Sequence, residues 1–198
     1  MTIKIGILLF NGVEELDFVG PWEVFKMALM NGGGDGEVHL IAERKDPVTC
    51  AKGMRVLPDF TLEDHPPLDV LLVPGGLATR EEVKNERVLD WLRRTAPGCK
   101  WVTSVCTGSM LLLAAGVAAG KRITTHWGAI SILKEMGGAE VVEGPRFVRD
   151  GNLVTSAGVS AGIDMSLWLV GQIFSVAHAR QTQRWMQYDP APPYTADA

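Results

Sequence analysis

The chain has 198 residues, a net charge of −4 and a pI near 5.6, with 46% hydrophobic and 21% charged residues. That length predicts one domain spanning residues 1–198, with a core large enough to need no staples, and the acidic balance leaves no electrostatic footprint for nucleic acid. Three cysteines, Cys50, Cys99 and Cys106, with no C-x-x-C pair, argue against a disulfide framework and a zinc site, and reduced thiols fit a cytoplasmic protein.

Residues 3–10 form a near-continuous apolar run, the signature of a strand covered on both faces, and no secretory signal is expected ahead of it. Asn11-Gly12 breaks the run. Asp17 then precedes Gly20-Pro21 and a helical pattern over 22–30. Its carboxylate reads either as a plain N-cap, since Asp is favoured there and Pro is tolerated in a first turn, or as a functional group. The glycine-rich loop at 31–36 lacks a phosphate-binding spacing. Residues 37–42 predict a second strand, and 48–57, broken by Lys52-Gly53, a hairpin-like excursion in which Cys50 is structural. His65 falls in a turn with Pro66 and Pro67 and is expected to be solvated. Residues 68–73 predict a buried strand that ends in Pro74-Gly75-Gly76.

An amphipathic helix is predicted over 81–94, stopped by Ala96-Pro97-Gly98. Residues 101–105 suit a buried strand, and from Met110 onward the residues are strong helix formers. Cys106-Thr107-Gly108-Ser109 is left as a sharp strand-to-helix turn. This is the arrangement of a nucleophile elbow with a thiol in place of serine, and Ser104 and Gly108 are small enough for the backbone to fold tightly. At the start of a helix the sulfur meets the positive end of the dipole and free N–H groups, so the thiolate is expected to be favoured. The apolar run at 110–119 is too short to span a bilayer, and no membrane association is expected. Residues 122–125 predict a short strand leading into His126-Trp127, and 129–136 a helix. Asp150-Gly151 predicts a hairpin between 141–148 and 153–156. A long final helix begins at 160–164, with Ile163, Leu167, Val170 and Phe174 at helical spacing, and a proline-rich extended tail follows from Asp189.

Strands alternating with helices predict an α/β sandwich around a mostly parallel sheet, with ligands at the carboxyl ends of the strands. The strand ends after Phe10, Val73 and Val105 carry Asp17, Gly75-Gly76 and Cys106. These three features therefore point to one site.

V-P-G-G at 73–76, S-V-C-T-G-S at 104–109 and T-T-H-W at 124–127 resemble the ThiJ/PfpI superfamily over nearly the whole chain, and the spacing between the motifs fits as well. The resemblance implies a flavodoxin-like three-layer sandwich of the class I glutamine-amidotransferase type, and a homodimer. L-D-F-V-G-P at 16–21, the stretch 146–164 and Y-D-P-A-P-P-Y at 188–194 look like the isonitrile hydratase branch. Protease-like and stress-response branches place Glu where this chain has Asp17, which weighs against a peptidase or deglycase. The same patterns occur in sensor domains of AraC-type transcription regulators, which carry a helix-turn-helix extension. The sequence ends at Ala198 without one, so a free-standing domain is expected.

The branch resemblance implies a hydro-lyase that adds water to a small isonitrile through a Cys106 thioimidate, giving an N-substituted formamide without cofactor or metal. A redox, stress or amidase-like protein using Cys106, and a ligand-sensing domain, are the alternatives. The resemblance places the Asp17 carboxyl beside the sulfur. Thiolate and carboxylate cannot both persist cheaply in contact, so the two titrate as a pair. Thr107 is the second polar group, its hydroxyl suited to holding water. The N–H groups of Gly75, Gly76 and Thr107 form a candidate hole for developing negative charge, or the glycines simply make a tight turn. His126 is either the third member of a Cys-His-carboxylate set or a ring packed on Trp127 and bonded to backbone. His39 and His178 read as structural.

Overall fold

The computed structural model describes residues 2–32 and 34–190; Gly33 of the glycine loop and the tail from 191 onward, including most of the proline-rich segment, lie outside the described residues. In chain order the elements are β1 (Ile3–Leu9), α1 (Glu15–Met30), β2 (Gly36–Ala42), β3 (Val48–Thr49), β4 (Arg55–Val56), β5 (Phe60–Thr61), β6 (Val70–Val73), α2 (Thr79–Glu82) and α3 (Glu86–Thr95). They continue with β7 (Trp101–Ser104), α4 (Gly108–Ala114), β8 (Arg122–Ile123), α5 (Ile130–Met136), β9 (Glu140–Val141), β10 (Phe147–Asp150), β11 (Leu153–Ser156), α6 (Ala161–Ile173) and α7 (Val176–Trp185).

Among the described residues the main sheet has seven strands in the order β10-β11-β7-β6-β1-β2-β5. Every pairing is parallel except that of β10 with β11, the hairpin signalled by Asp150-Gly151. The apolar runs explain the centre: Ile5, Ile7, Leu8 and Leu9 of β1 and all four residues of β6 are buried, as strands covered on both faces must be. Helices α1, α6 and α7 pack on one another, and α2 and α3 both pack on α4, so the sheet is flanked by helices. This is the expected α/β sandwich. No helix among the described residues is long and apolar enough to cross a membrane.

Several boundaries differ from the sequence expectation. Helix α1 begins at Glu15, well before Trp22, and carries Pro21 in its interior. Proline there leaves the Asp17 carbonyl without its usual N–H partner, yet burial of Phe18, Val24, Phe25 and Ala28 along the same helix holds it together. The predicted helix at 81–94 is two helices, broken at Val83–Asn85, and the long final helix is also two: Ser175 caps α7 by accepting from the His178 N–H (3.1 Å). Residues 122–125 yield only the two-residue β8, which pairs with β9 outside the main sheet. The excursion at 48–57 is an antiparallel pair, β3 with β4. His65 is half-buried rather than solvated, because its Nε2 accepts from Trp91 Nε1 at 2.7 Å.

The register brings the site together. Leu72 of β6 lies opposite Ile7 of β1 and Thr103 of β7, and Ser104 of β7 lies opposite Thr155 of β11. Four adjacent parallel strands therefore end on one edge, and the segments that follow them converge. Gly108, just past the turn after β7, is wedged against the end of β6: a Cβ there would lie 2.1 Å from the Val73 carbonyl oxygen and 2.8 Å from that of Pro74. Neither is a flexible side-chain tip that can move aside. Gly108→Ala should cost about 3 kcal/mol of stability by overpacking. Urea denaturation checks this, and a variant within about 0.5 kcal/mol of wild type would mean that the turn relaxes freely.

Candidate active site

Cys106 occupies the turn between β7 and α4 with φ of 54°, in the left-handed region that a non-glycine residue adopts at a cost. Several bonds hold it there. Its N–H donates to the carbonyls of Ser156 (3.2 Å) and Ala157 (3.0 Å), and its own carbonyl accepts from Thr125 Oγ1 (2.9 Å) and Ser109 Oγ (3.3 Å). The preceding Val105 N–H still bonds the end of β6 at Val73 O (3.0 Å), so the chain turns from one neighbouring strand to the other across Cys106.

Asp17 sits in the first turn of α1 with no solvent exposure, so it is not the N-cap; that position belongs to Glu14. Its Oδ2 accepts from the Gly75 N–H at 2.8 Å, while Oδ1 is buried without a hydrogen-bond partner. The Cys106 thiol is close enough to bias the carboxyl's titration. Burial raises the Asp17 carboxyl to about 7. The Gly75 N–H works against that rise, the charge of Glu14 with it, and the thiol and Lys52 against it.

For Cys106 the expectation of a favoured thiolate is overturned. Burial, then the charge of Asp17, push the thiol up to about 12, although the N–H groups of Thr107 and Val159 and the Thr107 hydroxyl pull the other way. The helix start does act on the sulfur, but desolvation outweighs it. Near neutral pH the resting sulfur is therefore a thiol beside a carboxyl that titrates.

The expected hole of three donors is also reduced. The Gly75 N–H is committed to Asp17, and the Gly76 N–H to Thr107 Oγ1 at 3.0 Å. The donors that face the sulfur are those of Thr107 and Val159. The glycines are needed sterically, since a Cβ at Gly75 would meet Thr107 N at 2.5 Å and one at Gly76 would meet the Gly12 carbonyl at 2.6 Å. The Thr107 hydroxyl has one hydrogen and two acceptors to serve, the Gly76 carbonyl (3.0 Å) and the sulfur. His126 lies on the same pocket, tilted over Trp127 with ring centroids 5.5 Å apart, and its Nδ1 accepts from the Gly128 N–H at 3.1 Å. That is the arrangement of a ring packed and bonded to backbone. His178 Nε2 meets the Ala28 carbonyl (2.9 Å) and His39 meets Glu37 (3.0 Å), both away from the pocket.

The pocket over Cys106 has a volume of about 360 Å³ and is walled by Thr107, His126, Trp127, Leu77 and Arg80, with Val159 behind the sulfur. Val159 and Arg80 went unseen in the sequence. Val159 is another non-glycine residue in the left-handed region (φ 48°), and nothing in G-V-S-A announces that. Arg80 lies in α2, which merges in the sequence pattern with the helix beyond it. Among the described residues no three His, Cys, Asp or Glu side chains are grouped so as to hold a metal ion.

The sequence model of the DJ-1/PfpI family matches residues 3–172. The chain belongs to the DJ-1/PfpI family. Within this family it is 42% identical over 194 residues to the isonitrile hydratase of Pseudomonas putida, covering 98% of this chain and 82% of that protein. It is 32% identical to the HTH-type transcriptional regulator CdhR of Pseudomonas aeruginosa, covering 87% of this chain but 51% of that one. The crystal structure of a ThiJ/PfpI family protein from Pseudomonas syringae superposes with a TM-score of 0.90 at 34% identity, covering all of this chain and 80% of that one. The chain is thus similar both to an enzyme and to about half the length of a transcriptional regulator.

Two outcomes follow from the buried pair. In the unfolded chain Asp17 titrates near pH 4, in the folded chain near 7. Between those values the unfolded chain releases a proton that the folded chain keeps, so the contribution of Asp17 to stability is full below about pH 4 and lost as pH rises through 7. Asp17→Asn retains an acceptor for Gly75 without the charge. It should exceed wild-type stability at about pH 8 by on the order of 4 kcal/mol at most, with the gain fading toward about pH 4. Urea titrations at both pH values measure this, and an equal gain at both would mean that charge burial is not what Asn relieves. The same variant removes the second cause of the raised thiol, so the pH midpoint for iodoacetamide alkylation of Cys106 should fall. An unmoved midpoint would mean that the Asp17 charge does not reach the sulfur.

Proposed function

We propose that the protein is an isonitrile hydratase-like hydro-lyase in which Cys106 is the nucleophile and Asp17 carries the protons. The observation that supports this reading most is the buried Asp17 carboxyl, raised to about 7 and set beside a neutral thiol at the base of a small pocket. A group with that pKa gives and takes protons with equal ease at neutral pH. The reaction requires this, because an isonitrile carbon must gain a proton as sulfur attacks it.

In the first step the sulfur bonds to the isonitrile carbon. Asp17 delivers a proton to that carbon and recovers one from the thiol, so S–H breaks, S–C and C–H form, and the whole substrate is retained as a thioimidate on Cys106. In the second step Asp17 protonates the imine nitrogen, and the resulting carboxylate takes a proton from water as its oxygen bonds to the carbon. The C–S bond then breaks as the hydroxyl proton passes back to sulfur, releasing an N-substituted formamide and the thiol. The N–H groups of Thr107 and Val159 steady the sulfur as it departs with its electron pair. His126, with Nδ1 engaged by the Gly128 N–H, is a pocket wall in this scheme. The 42% identity to the P. putida enzyme supports the same reading.

A ligand-sensing domain is the second reading, favoured by the similarity to CdhR. Turnover separates the two. Purified protein should convert an alkyl or aryl isonitrile to the matching N-formamide without added cofactor. Cys106→Ala should abolish this, Asp17→Asn should slow it by about a hundredfold or more, and Thr107→Val should cost less because the backbone N–H survives. Loss of isonitrile absorbance is the readout. Formamide production by Cys106→Ala at the native rate would remove the thiol from the mechanism, and binding without any turnover would favour the sensor.

A further inference from the structure

Arg80 is the basic side chain of the pocket, and the mechanism above leaves it unused. Among the described residues it makes no ion pair, and its Nη1 is shielded from solvent without a hydrogen-bond partner. Arg55, Arg94 and Arg184 also lack side-chain partners, but they are exposed and water serves them; Arg80 is half-buried. A guanidinium carries five N–H donors in a rigid fork, two of them on Nη1, and leaving those shielded and unmet is costly. The planar fork matches the geometry of a carboxylate or phosphate, which would answer those donors.

The rest of the pocket does not supply that anion. Glu14 is the one acidic residue lining it, and the Glu14 carboxylate is already paired with Lys52. Asp17 is fully buried, with one oxygen held by the Gly75 N–H, and its carboxyl is the proton carrier beside Cys106 rather than a counter-ion for Arg80. Leu77, Trp127, Ala129 and Val159 are apolar, so around Arg80 the pocket is a largely apolar chamber with one unanswered positive charge. Ligand pockets of this kind orient their occupant through a few fixed polar groups. Glu14 is paired with Lys52, the Thr107 hydroxyl is bonded to the Gly76 carbonyl and His126 Nδ1 to the Gly128 N–H, which leaves the sulfur of Cys106 and the guanidinium of Arg80 to be answered by an occupant with a reactive carbon and an anionic group.

We propose that the substrate is a small isonitrile bearing a carboxylate, held by Arg80 while its isonitrile carbon faces Cys106. This rests on the hydratase reading above and adds the chemical class of the substrate. A bidentate guanidinium–carboxylate pair away from bulk water fixes both distance and orientation. It also gives Arg80 a positioning role, since it touches the end of the substrate that does not react.

The test compares ω-isocyanoalkanoates of increasing chain length with their methyl esters, as kcat/KM, in wild type, Arg80→Gln and Arg80→Lys. In parallel, unreactive alkanoates of the same lengths are assayed for protection of Cys106 against iodoacetamide. At the chain length that spans the two groups, the carboxylate should be preferred over its ester by about tenfold or more. That ratio should collapse toward one in Arg80→Gln and be partly kept in Arg80→Lys. Esters used as well as carboxylates at every length, or a preference that persists in Arg80→Gln, would overturn the proposal, and the wild-type comparison decides even if a variant folds poorly. If no isonitrile is turned over but alkanoates protect Cys106 in an Arg80-dependent way, the anion site stands and the hydratase reading fails. If neither occurs, both fall.

Discussion

Taking the Asp17 carboxyl out of water beside a thiol is the constraint on which the rest of the site depends. With one oxygen held by the Gly75 N–H and the other unmet, the carboxyl is easier to keep protonated than charged, and its pKa rises to about 7. The same burial keeps Cys106 a thiol. The Asp17 charge holds back ionisation of the thiol while the thiol favours the carboxylate, so the pair behaves as one proton-handling unit rather than as a preformed thiolate. A reaction that needs a proton at carbon while sulfur attacks is well served by such a unit. A reaction that needs a standing thiolate is not.

The fold is arranged to make that burial possible. Four parallel strands end on one edge, and the chain leaves each through a turn too tight for ordinary side chains: glycines at 75, 76 and 108, and left-handed backbone at Cys106 and Val159. A Cβ at Gly75 or Gly108 would push the Pro74-Gly75 turn away from the Cys106 turn. The strain at Cys106 is offset by the bonds its peptide makes to Ser156, Ala157, Thr125 and Ser109. All of these partners but Ser109 come from distant parts of the chain, so the geometry of the sulfur is fixed by the sheet edge as well as by its own loop.

This also explains how much the sequence could reveal. Apolar runs and glycine turns are local signals, and they gave the central strands, the Asp150-Gly151 hairpin and the strand-to-helix turn at Cys106. Helix breaks were less legible, because Val83–Asn85 and Phe174–Ser175 carry no glycine or proline to mark them, whereas Pro21, which should mark one, lies inside a helix secured by burial. The electrostatics were legible only in part. A helix end next to a cysteine suggests a thiolate, but the desolvation that reverses this comes from residues far away in sequence. The same holds for the glycine N–H groups: their type was visible, but their commitment to Asp17 and Thr107 was not. Val159 and Arg80 came from the structure alone.

The chain is similar both to an enzyme of P. putida and to about half of a regulator of P. aeruginosa, so the likeness does not by itself decide between catalysis and sensing. In the proposed reaction, substrate becomes covalently attached to Cys106 while Asp17 moves the protons. The most direct measurement is rapid acid quenching during turnover, followed by peptide mass spectrometry. Addition of S–H across the isonitrile carbon loses no atoms, so the Cys106 peptide should gain the full mass of the substrate, with Cys50 and Cys99 unmodified. Turnover with no adduct on Cys106 at any quench time, and a normal rate in its absence, would contradict the account.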